Sequence, residues 1–413
     1  MEAFVLFVVI TLIGLMLYSF QIVSVRQYVK RKDLIALDYT KEYPPVSILK
    51  PLKGLDDNLF DNLDSFCRLD YPQYEIIFAL QDINDPAYKV VCKVKDRYPE
   101  KDIKIVTEFC NVGLNPKINN LIPAYRQSRY EFILISDSNV AVGSDYLKTI
   151  VSSIHDKKVG LVCNLIRGLG GRSIGAILEN LHLNTFILGS VCFLQRYFDI
   201  QCVIGKSMLM RKSDLEAIGG LMAFKDILAE DYVIGREMKK YGKTVVVSDY
   251  MIHNVNEYWS LKRFLNRHTR WGKLRWKIGG YQYISELLCN PVFMSCIAFA
   301  TATESRFYGG LFAFFVSGYK IMGDYYINRL VSRHQSQISY IQNACYRTRD
   351  SFYHYLFVPI KDIIIGLIWF VPLISSKVVW RGNKYLVGKD STLKPYHSRE
   401  LKTLRMKTRF LTS

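Results

Sequence analysis

The chain has 413 residues, half of them hydrophobic and 14% aromatic, and this composition is too apolar for an intrinsically disordered protein. With 55 Lys and Arg against 37 Asp and Glu, the formal net charge is +18, which indicates an anionic partner (lipid, nucleotide phosphate or nucleic acid) unless the charge mainly flanks membrane segments. Nine scattered cysteines without a Cys-x-x-Cys pair argue against a zinc site and against a disulfide framework.

The first predicted element is a membrane anchor within residues 1–24. Residues 3–20 carry no charge, and about 18 such residues suffice to cross a bilayer. A cleavable signal peptide normally begins with a positive region, whereas this chain begins Met1-Glu2 and its basic residues follow the apolar run. Because positive flanks stay in the cytoplasm, the sequence predicts an uncleaved anchor of an integral membrane protein, with the next domain on the cytoplasmic side.

Residues 40–255 have the pattern of an α/β domain. Short apolar runs alternate with polar, helix-compatible segments, which is typical of a mostly parallel sheet with helices on both faces. The predicted strands are 46–50, 75–80, 103–107 and 131–136, and the predicted helices are 56–68, 86–97 and 117–128. Ligands of such sheets bind at the carboxyl ends of the strands. Asp82, Asp85 and Asp137 occupy those ends.

Asp85 and Lys117 are candidate nucleotide-binding residues. Asp85 lies in a turn stiffened by Pro86, from which a carboxylate can accept hydrogen bonds from a base or ribose. The same turn is also an ordinary cap for the following helix. Lys117 begins a helix after Asn115 and can pair with phosphate or contact the base, although a single lysine is more often solvated.

Asp137 is a candidate metal ligand because it directly follows a strongly apolar strand. A carboxylate there can hold Mg²⁺ or Mn²⁺, which would neutralise the diphosphate of a nucleotide-sugar. Many metal-dependent transferases have Asp-x-Asp at this point, whereas this chain has the neutral Asn139 in second place. The alternative is that Asp137 caps a helix.

A glycine-containing stretch and an acidic pair follow. Gly205-Lys206 has the pattern of backbone that a substrate approaches closely, or simply of a turn. Glu230-Asp231 precedes a predicted helix over 232–240, so either carboxylate could cap that helix. As chemistry, Asp231 is a candidate general base that takes the proton from an attacking hydroxyl group.

Residues 256–280 combine aromatic and basic side chains, which is typical of an amphipathic helix at a membrane interface. Arg267, Arg270 and Trp271 are spaced i, i+3, i+4 and therefore share one helical face. Two guanidinium groups can clamp a departing diphosphate, and Trp271 can stack on an acceptor or form a wall of the site. The simpler alternative is a helix that binds anionic headgroups.

Residues 281–376 are predicted to form membrane-associated helices. Apolar runs at 286–302 and 307–323 have the spacing of a tight hairpin. A third run at 355–376 is interrupted by prolines and charges, and a crossing there would put the basic residues 377–413 outside the cell. Positive flanks prefer the cytoplasm. The sequence therefore predicts a re-entrant or interfacial segment at 355–376, followed by a basic cytoplasmic tail.

These motifs, taken in order, resemble the ceramide glucosyltransferase family and its relatives among inverting glycosyltransferases of the glycosyltransferase-A fold. The resemblance covers roughly residues 44–280 and returns at 379–388. Its landmarks are Ser47 to Gly54, Leu69 to Pro72, Gln81-Asp82 with Asp85-Pro86, Asn115 to Leu121, Asp137-Ser138, Ala229 to Tyr232, Arg267-x-x-Arg270-Trp271 and Trp380 to Gly382.

The resemblance implies a membrane-bound enzyme with a cytoplasmic catalytic domain that moves glucose from UDP-glucose to the primary hydroxyl of ceramide, with inversion. Asp85 and Lys117 would bind the nucleotide, and Asp137 the metal and diphosphate. Asp231 would be the base, and Arg267, Arg270 and Trp271 the closing motif.

The chain also departs from the animal pattern. Animal members carry a reactive histidine where this chain has Ile187 or Leu188, and His182 is out of register. Pro359 to Asp362 looks more like bacterial members, some of which act on hopanoids with UDP-N-acetylglucosamine. Another lipid acceptor, such as a hopanoid or diacylglycerol, therefore stays open.

Two other functions are weaker. A polysaccharide synthase of related fold needs several helices to form a channel, and only two or three doubtful spans follow residue 285. A nucleic-acid binding protein is supported only by the net charge, and the basic residues concentrate beside apolar segments, where membrane orientation explains them. We therefore expect a lipid acceptor and a membrane as partners, and no nucleic acid.

Overall fold

The computed structural model describes residues 2–32, 43–338 and 351–396. Within these ranges the central element is an eight-stranded sheet in the order β3-β2-β1-β4-β7-β6-β8-β5. The strands are β1 (Val46–Pro51), β2 (Tyr74–Leu80), β3 (Ile103–Thr107), β4 (Phe132–Ser136), β5 (Val140–Ala141), β6 (Val159–Gly170), β7 (Ser207–Arg211) and β8 (Thr244–Asn256).

The helices cover both faces of this sheet and extend beyond it. They are α1 (Glu2–Lys32), α2 (Leu59–Cys67), α3 (Pro86–Arg97), α4 (Pro116–Arg126), α5 (Tyr146–Ser152), α6 (Ile174–Leu181), α7 (Leu188–Phe198), α8 (Lys212–Ala217), α9 (Glu230–Lys240), α10 (Leu261–Gly279), α11 (Ile284–Leu288), α12 (Pro291–Thr301), α13 (Arg306–Ile338), α14 (Val358–Ile368) and α15 (Val371–Ile374).

The sheet is mostly parallel, which confirms the predicted α/β class. Strands β3, β2, β1 and β4 run parallel to one another, and β6 runs parallel to β8. The exceptions are β7, which is antiparallel to both β4 and β6, and the short β5, which is antiparallel to β8. All four predicted strands are present: β1, β2 and β4 are almost fully buried, whereas β3 lies at the edge of the sheet and is partly exposed.

Two hydrophobic cores lie on the two faces of the sheet, and alternate residues of the central strands enter each core. Leu49 and Ile135 belong to the core that includes α4 and α9, whereas Ile48 and Leu134 belong to the core that includes α2 and α5. This alternation follows from the two-residue period of a strand. It fixes the register and so brings the ends of β1 and β4 to one edge of the sheet.

Three helical stretches in the described part of the chain are long and apolar enough to cross a membrane: Glu2–Lys30, Ile174–Phe198 and Phe352–Ile374. A fourth arises if the bent pair Leu261–Leu288 and Pro291–Thr301 is one span. The predicted hairpin corresponds to α12 and α13, which pack against each other and against α1. Phe352–Ile374 has the length of a span, so the predicted re-entrant or interfacial course of 355–376 stays a prediction.

Part of the segment assigned to a basic tail is folded. Strands β9 (Lys377–Trp380), β10 (Asn383–Val387) and β11 (Leu393–Pro395) form an antiparallel sheet. Four of its apolar side chains pack around Leu228, and the Leu228 N–H donates to the Ser391 carbonyl at 3.0 Å. The sequence did not predict this small core, because its few apolar residues stand among many Lys and Arg residues. The predicted tail from residue 397 onward lies outside the described residues.

Candidate active site

A cavity of about 1010 Å³ opens at the carboxyl ends of β1, β2 and β4. One wall consists of the loops that follow these strands, and the opposite wall consists of α10 and the β9–β10 hairpin. Six of the seven predicted site residues line it: Lys117, Asp137, Asp231, Arg267, Arg270 and Trp271. The tertiary structure thus brings together residues that are as much as 154 positions apart along the chain.

Asp85 is the predicted site residue that does not line the cavity. Its carboxylate caps α3 by accepting from the Ala87 N–H at 2.9 Å. The same carboxylate accepts from the Gly54 N–H at 2.9 and 3.0 Å, and Gly54 does line the cavity. Asp85 therefore has the capping role that the sequence left open, and it also fixes a loop of the site. A direct nucleotide contact stays a prediction.

Asp137 lies between two lysine side chains. Its Oδ1 is 3.0 Å from Lys117 Nζ, and its Oδ2 is 2.9 Å from Lys206 Nζ. Burial alone would raise the pKa of Asp137, but the two ammonium groups hold this pKa well below its usual range. Asp137 is therefore a fixed negative charge, ionised at any physiological pH.

Lys117 connects Asp137 to the acidic pair. Its Nζ is 3.0 Å from Glu230 Oε1 and donates to the Gly205 carbonyl at 2.9 Å. Burial opposes its charge, but Asp137 and Glu230 raise the pKa of Lys117 above its ordinary value. The capping side chain of Asn115 accepts from the Lys117 N–H and positions this first turn of α4. Lys117 is therefore a permanent cation shared by two acids.

Asp231 lies half-buried in the first turn of α9, next to the buried Glu230. Its Oδ2 accepts from the Gly205 N–H at 2.7 Å, and its Oδ1 accepts from the Tyr232 N–H at 2.8 Å. Burial and the adjacent negative charge of Glu230 raise the pKa of Asp231 to about 6. A carboxylate of that pKa is a better proton acceptor than an ordinary aspartate and is still mostly ionised near neutral pH.

Arg267 is held by a buried acid and two aromatic rings. Its Nε is 3.3 Å from Glu179 Oε1, an ion pair without hydrogen-bond geometry. The guanidinium carbon lies 4.3 Å from the Trp271 ring centroid and 5.1 Å from that of Trp259. Glu179 is fully buried and also binds His268 at 2.8 Å, so α6 fixes this face of α10.

Arg270, unlike Arg267, has no acidic partner in the described part of the chain. Among residues 2–32, 43–338 and 351–396, no Asp or Glu forms a salt bridge with it. Its guanidinium carbon is 5.8 Å from the ring centroid of Trp380, and Arg381 lines the same side of the cavity. An unpaired guanidinium group beside a second arginine is suited to an anionic ligand.

The family of the chain follows from a family model described as "Glycosyl transferase family 21", which matches residues 6–393. The chain belongs to glycosyl transferase family 21. This membership confirms the resemblance to the ceramide glucosyltransferase family that the sequence motifs indicate.

Similar curated proteins include two nematode enzymes. Ceramide glucosyltransferase 3 of Caenorhabditis elegans is 35% identical over 254 residues, which cover 59% of this chain and 55% of that protein. Ceramide glucosyltransferase 1 of the same organism is 28% identical over 351 residues, which cover 83% and 71%. The match thus spans about half the length of the first relative. Ceramide glucosyltransferase of Gibberella zeae is 25% identical over 336 residues, which cover 62% of each chain.

Two solved structures are also similar to this family member. A mannosyltransferase of Pyrobaculum calidifontis in complex with GDP-Man and Mn²⁺ is 14% identical, with a TM-score of 0.47 over 88% of this chain and 98% of that one. Residues 1–349 of TarS from S. aureus are 13% identical, with a TM-score of 0.37 over 84% and 98%.

The side chains around Asp137 do not fit a divalent cation as they are arranged. Both carboxylate oxygens contact ammonium groups, and Asn139 Oδ1 accepts from Lys206 at 2.7 Å. Mg²⁺ requires several oxygen ligands at about 2 Å, so it would have to displace a lysine. Across the described ranges, no three His, Cys, Asp or Glu side chains are grouped to hold a metal ion. The metal expected at Asp137 stays a prediction.

Residues that the sequence did not assign to the site are Glu179, Lys206 and the β9–β10 hairpin. Glu179 gave no signal, because a single acid in an apolar helical run has no recognisable pattern. The Gly205-Lys206 pattern predicts only backbone that a substrate approaches closely, or a turn, and the fold shows that the Lys206 side chain reaches Asp137. Trp380-Arg381 was a motif of the resemblance, but its place in the cavity wall follows from the second sheet.

Proposed function

We propose that this chain transfers glucose from UDP-glucose to the primary hydroxyl of ceramide, with inversion at the anomeric carbon. The observation that carries the proposal is the convergence of Asp231, Arg270 and the Asp137–lysine cluster around one cavity of about 1010 Å³. This volume suits a nucleotide-sugar. Membership of glycosyl transferase family 21 and the names of the similar proteins support the choice of donor and acceptor.

The chemistry follows from the positions of these groups. The acceptor oxygen attacks the anomeric carbon, its bond to that carbon forms, and the bond from that carbon to the β-phosphate oxygen breaks. Asp231 takes the hydroxyl proton, and its pKa of about 6 suits this task near neutral pH. The negative charge that develops on the leaving UDP is stabilised by Arg270, and Arg267 adds positive charge on the same helical face.

The acceptor would reach the cavity from the membrane side. Helix α10 forms the cavity wall with Arg267, Arg270 and Trp271, and it continues through α11 into the apolar α12. A lipid whose tail lies among the apolar helices could present its hydroxyl group past α10. We place the α/β domain on the cytoplasmic side, because Arg26, Lys30 and the two following basic residues lie at the end of α1 that leads into this domain, and positive flanks prefer the cytoplasm.

Another lipid acceptor is the second candidate. Ile187 or Leu188 lies where animal members carry histidine, and His182 is buried with neither ring nitrogen hydrogen-bonded in the described part of the chain. The surroundings of the acceptor site therefore differ from the animal pattern. A hopanoid or diacylglycerol acceptor, with UDP-glucose or UDP-N-acetylglucosamine as donor, uses the same base and the same arginines.

One experiment separates these functions. Purified full-length enzyme is given UDP-glucose or UDP-N-acetylglucosamine with ceramide, diacylglycerol or a hopanoid, and products are identified by mass. We expect glucosylceramide. A product formed only with another lipid would replace ceramide as the acceptor, and products with several sugars would indicate a polymerase. The variant Asp231→Asn should bind UDP and form no product; retained turnover would remove Asp231 as the base.

A further inference from the structure

The ammonium group of Lys206 occupies the position that a metal ion would need. Lys206 Nζ lies 2.9 Å from Asp137 Oδ2 and 2.7 Å from Asn139 Oδ1. These two oxygens come from the first and third residues of Asp137-Ser138-Asn139, the places that hold paired acids in an Asp-x-Asp motif. The cation between them therefore belongs to the chain itself.

The charges of the cluster balance with this lysine in place. Two carboxylates and a divalent cation would sum to zero net charge. Here the same net charge is reached without a metal, because Asp137 and Glu230 carry two negative charges and Lys117 and Lys206 carry two positive charges. With a divalent cation added beside Lys206, the site would carry uncompensated positive charge in a partly buried place, which is unfavourable.

Lys206 is also placed to act on a ligand. Its side chain is 17% exposed and lines the same cavity as Arg267 and Arg270. An ammonium group has three N–H donors, and two of these are directed at Asp137 and Asn139. One donor is left for a phosphate oxygen, for which lysine is a point-charge partner.

We infer that Lys206 is a built-in counterion for the donor diphosphate, and that this chain binds UDP and transfers sugar without a divalent cation. The inference rests on the proposed function and deepens it, because it names what neutralises the leaving group. No covalent bond to Lys206 forms or breaks. Its ammonium group donates hydrogen bonds to the diphosphate while Asp137 and Asn139 hold it in position.

The first test measures UDP binding to the full-length wild-type protein by calorimetry, in EDTA and then with Mn²⁺. We expect the two dissociation constants to agree within about threefold, a free-energy difference of less than roughly 0.7 kcal/mol. UDP binding that disappears in EDTA and returns with Mn²⁺ would overturn the inference alone and leave the proposed function intact. UDP binding that is absent in both conditions would overturn both.

The second test exchanges the built-in cation for a metal. In EDTA, Lys206→Met should weaken UDP binding about tenfold or more, as expected when one charged phosphate contact is lost. The double variant Lys206→Met, Asn139→Asp restores two acids, so electron paramagnetic resonance should detect bound Mn²⁺, and Mn²⁺ should recover UDP binding. Mn²⁺ bound equally well by the wild-type protein would contradict the inference.

Two further variants control for folding and for lysine loss in general. Lys206→Arg keeps the positive charge and should keep binding in EDTA, even if Lys206→Met folds poorly. Lys212→Met removes a lysine at the other end of β7 that bonds to Ser128 outside the cavity, and it should leave UDP binding unchanged. Equal loss of UDP binding in the Lys206 and Lys212 variants would show that Lys206 has only a structural role.

Discussion

Gly205 contacts Asp231 so closely that a side chain at position 205 has no room. The Gly205 N–H donates to Asp231 Oδ2 at 2.7 Å, and a Cβ atom built on Gly205 would lie 2.6 Å from that oxygen and 3.0 Å from the Asp231 Cγ. The backbone of the loop before β7 therefore sets the position of the proposed base. Glycine is required at position 205 because of the space available, and its backbone conformation is not a special one.

Gly205→Ala should reduce kcat by at least about tenfold, because Asp231 or the loop must move to admit the methyl group. Overpacking of this kind also costs about 1–3 kcal/mol of stability. The rate of UDP release measures kcat, and thermal unfolding of the same variant measures its stability. The control is Gly318→Ala in α13, where a Cβ meets nothing within 4 Å. Unchanged turnover in Gly205→Ala would show that the position of Asp231 does not limit the rate.

The rate should depend on the ionisation of Asp231. Because the carboxylate must be ionised to accept a proton, kcat/KM should fall as the pH drops below about 6, the pKa of Asp231. In Glu230→Gln the neighbouring negative charge is gone, so the pKa of Asp231 should fall. The acid limb of the pH profile, the range in which kcat/KM falls, should then move to lower pH. Burial, the larger cause, remains. The control Glu237→Gln, at a half-buried position of α9 where the side chain pairs with Arg236 and Lys240, should leave the limb in place. An acid limb that stays at pH 6 in Glu230→Gln would exclude Glu230 as a cause.

Arg270→Gln should lower kcat by about a hundredfold with little change in stability. Arg270 lines the cavity without an acidic partner among the described residues, so its loss leaves no buried acid unpaired, whereas the leaving diphosphate loses a charged donor. Single-turnover kinetics and thermal unfolding would be compared. Arg275→Gln is the matched control, since Arg275 lies on the same helix and pairs with Glu286. A large fall in stability with normal kcat would show that Arg270 acts only in folding.

Glu179→Gln should show the opposite pattern, with a large loss of stability. Glu179 is fully buried and binds both His268 and Arg267, so its neutralisation leaves a buried cation without its partner. Breaking a buried pair in this way costs about 3–5 kcal/mol, and denaturant unfolding in detergent measures it. Glu286→Gln, in a more exposed pair, should cost less than about 1 kcal/mol. Equal effects of the two substitutions would contradict the anchoring role of Glu179.

Truncation should separate the folded hairpin from the residues after it. A chain that ends at residue 376 lacks the wall formed by Trp380, Arg381 and Tyr385, so UDP binding should weaken about tenfold or more. A chain that ends at residue 396 retains the whole three-stranded sheet and should bind UDP as the full chain does. Calorimetry on both proteins measures this. Normal binding by the shorter chain would show that β9–β11 do not contribute to the donor site.

The parallel half of the sheet could be predicted because its signals are local. Strands β1 to β4 are short apolar runs ended by proline or polar residues, and the positions of Asp85 and Asp137 after them follow directly. The long β6 and β8 escaped prediction. They include polar residues such as Asn164 and His253 that are buried only because the fold supplies partners or neighbours for them. Such partners are distant in sequence, so local residue patterns do not predict them.

The sequence alone determined the family motifs, the apolar helices and the acids and arginines that bear chemistry, because each of these depends on residue type and near spacing. Only the tertiary structure decided how these residues act. It paired Asp137 with two lysines, made Asp85 a helix cap, tied Arg267 to the buried Glu179 and brought β9–β10 to the cavity wall. The reason is physical: the charge state and partner of a buried group depend on neighbours that only folding brings within 3 to 4 Å of it.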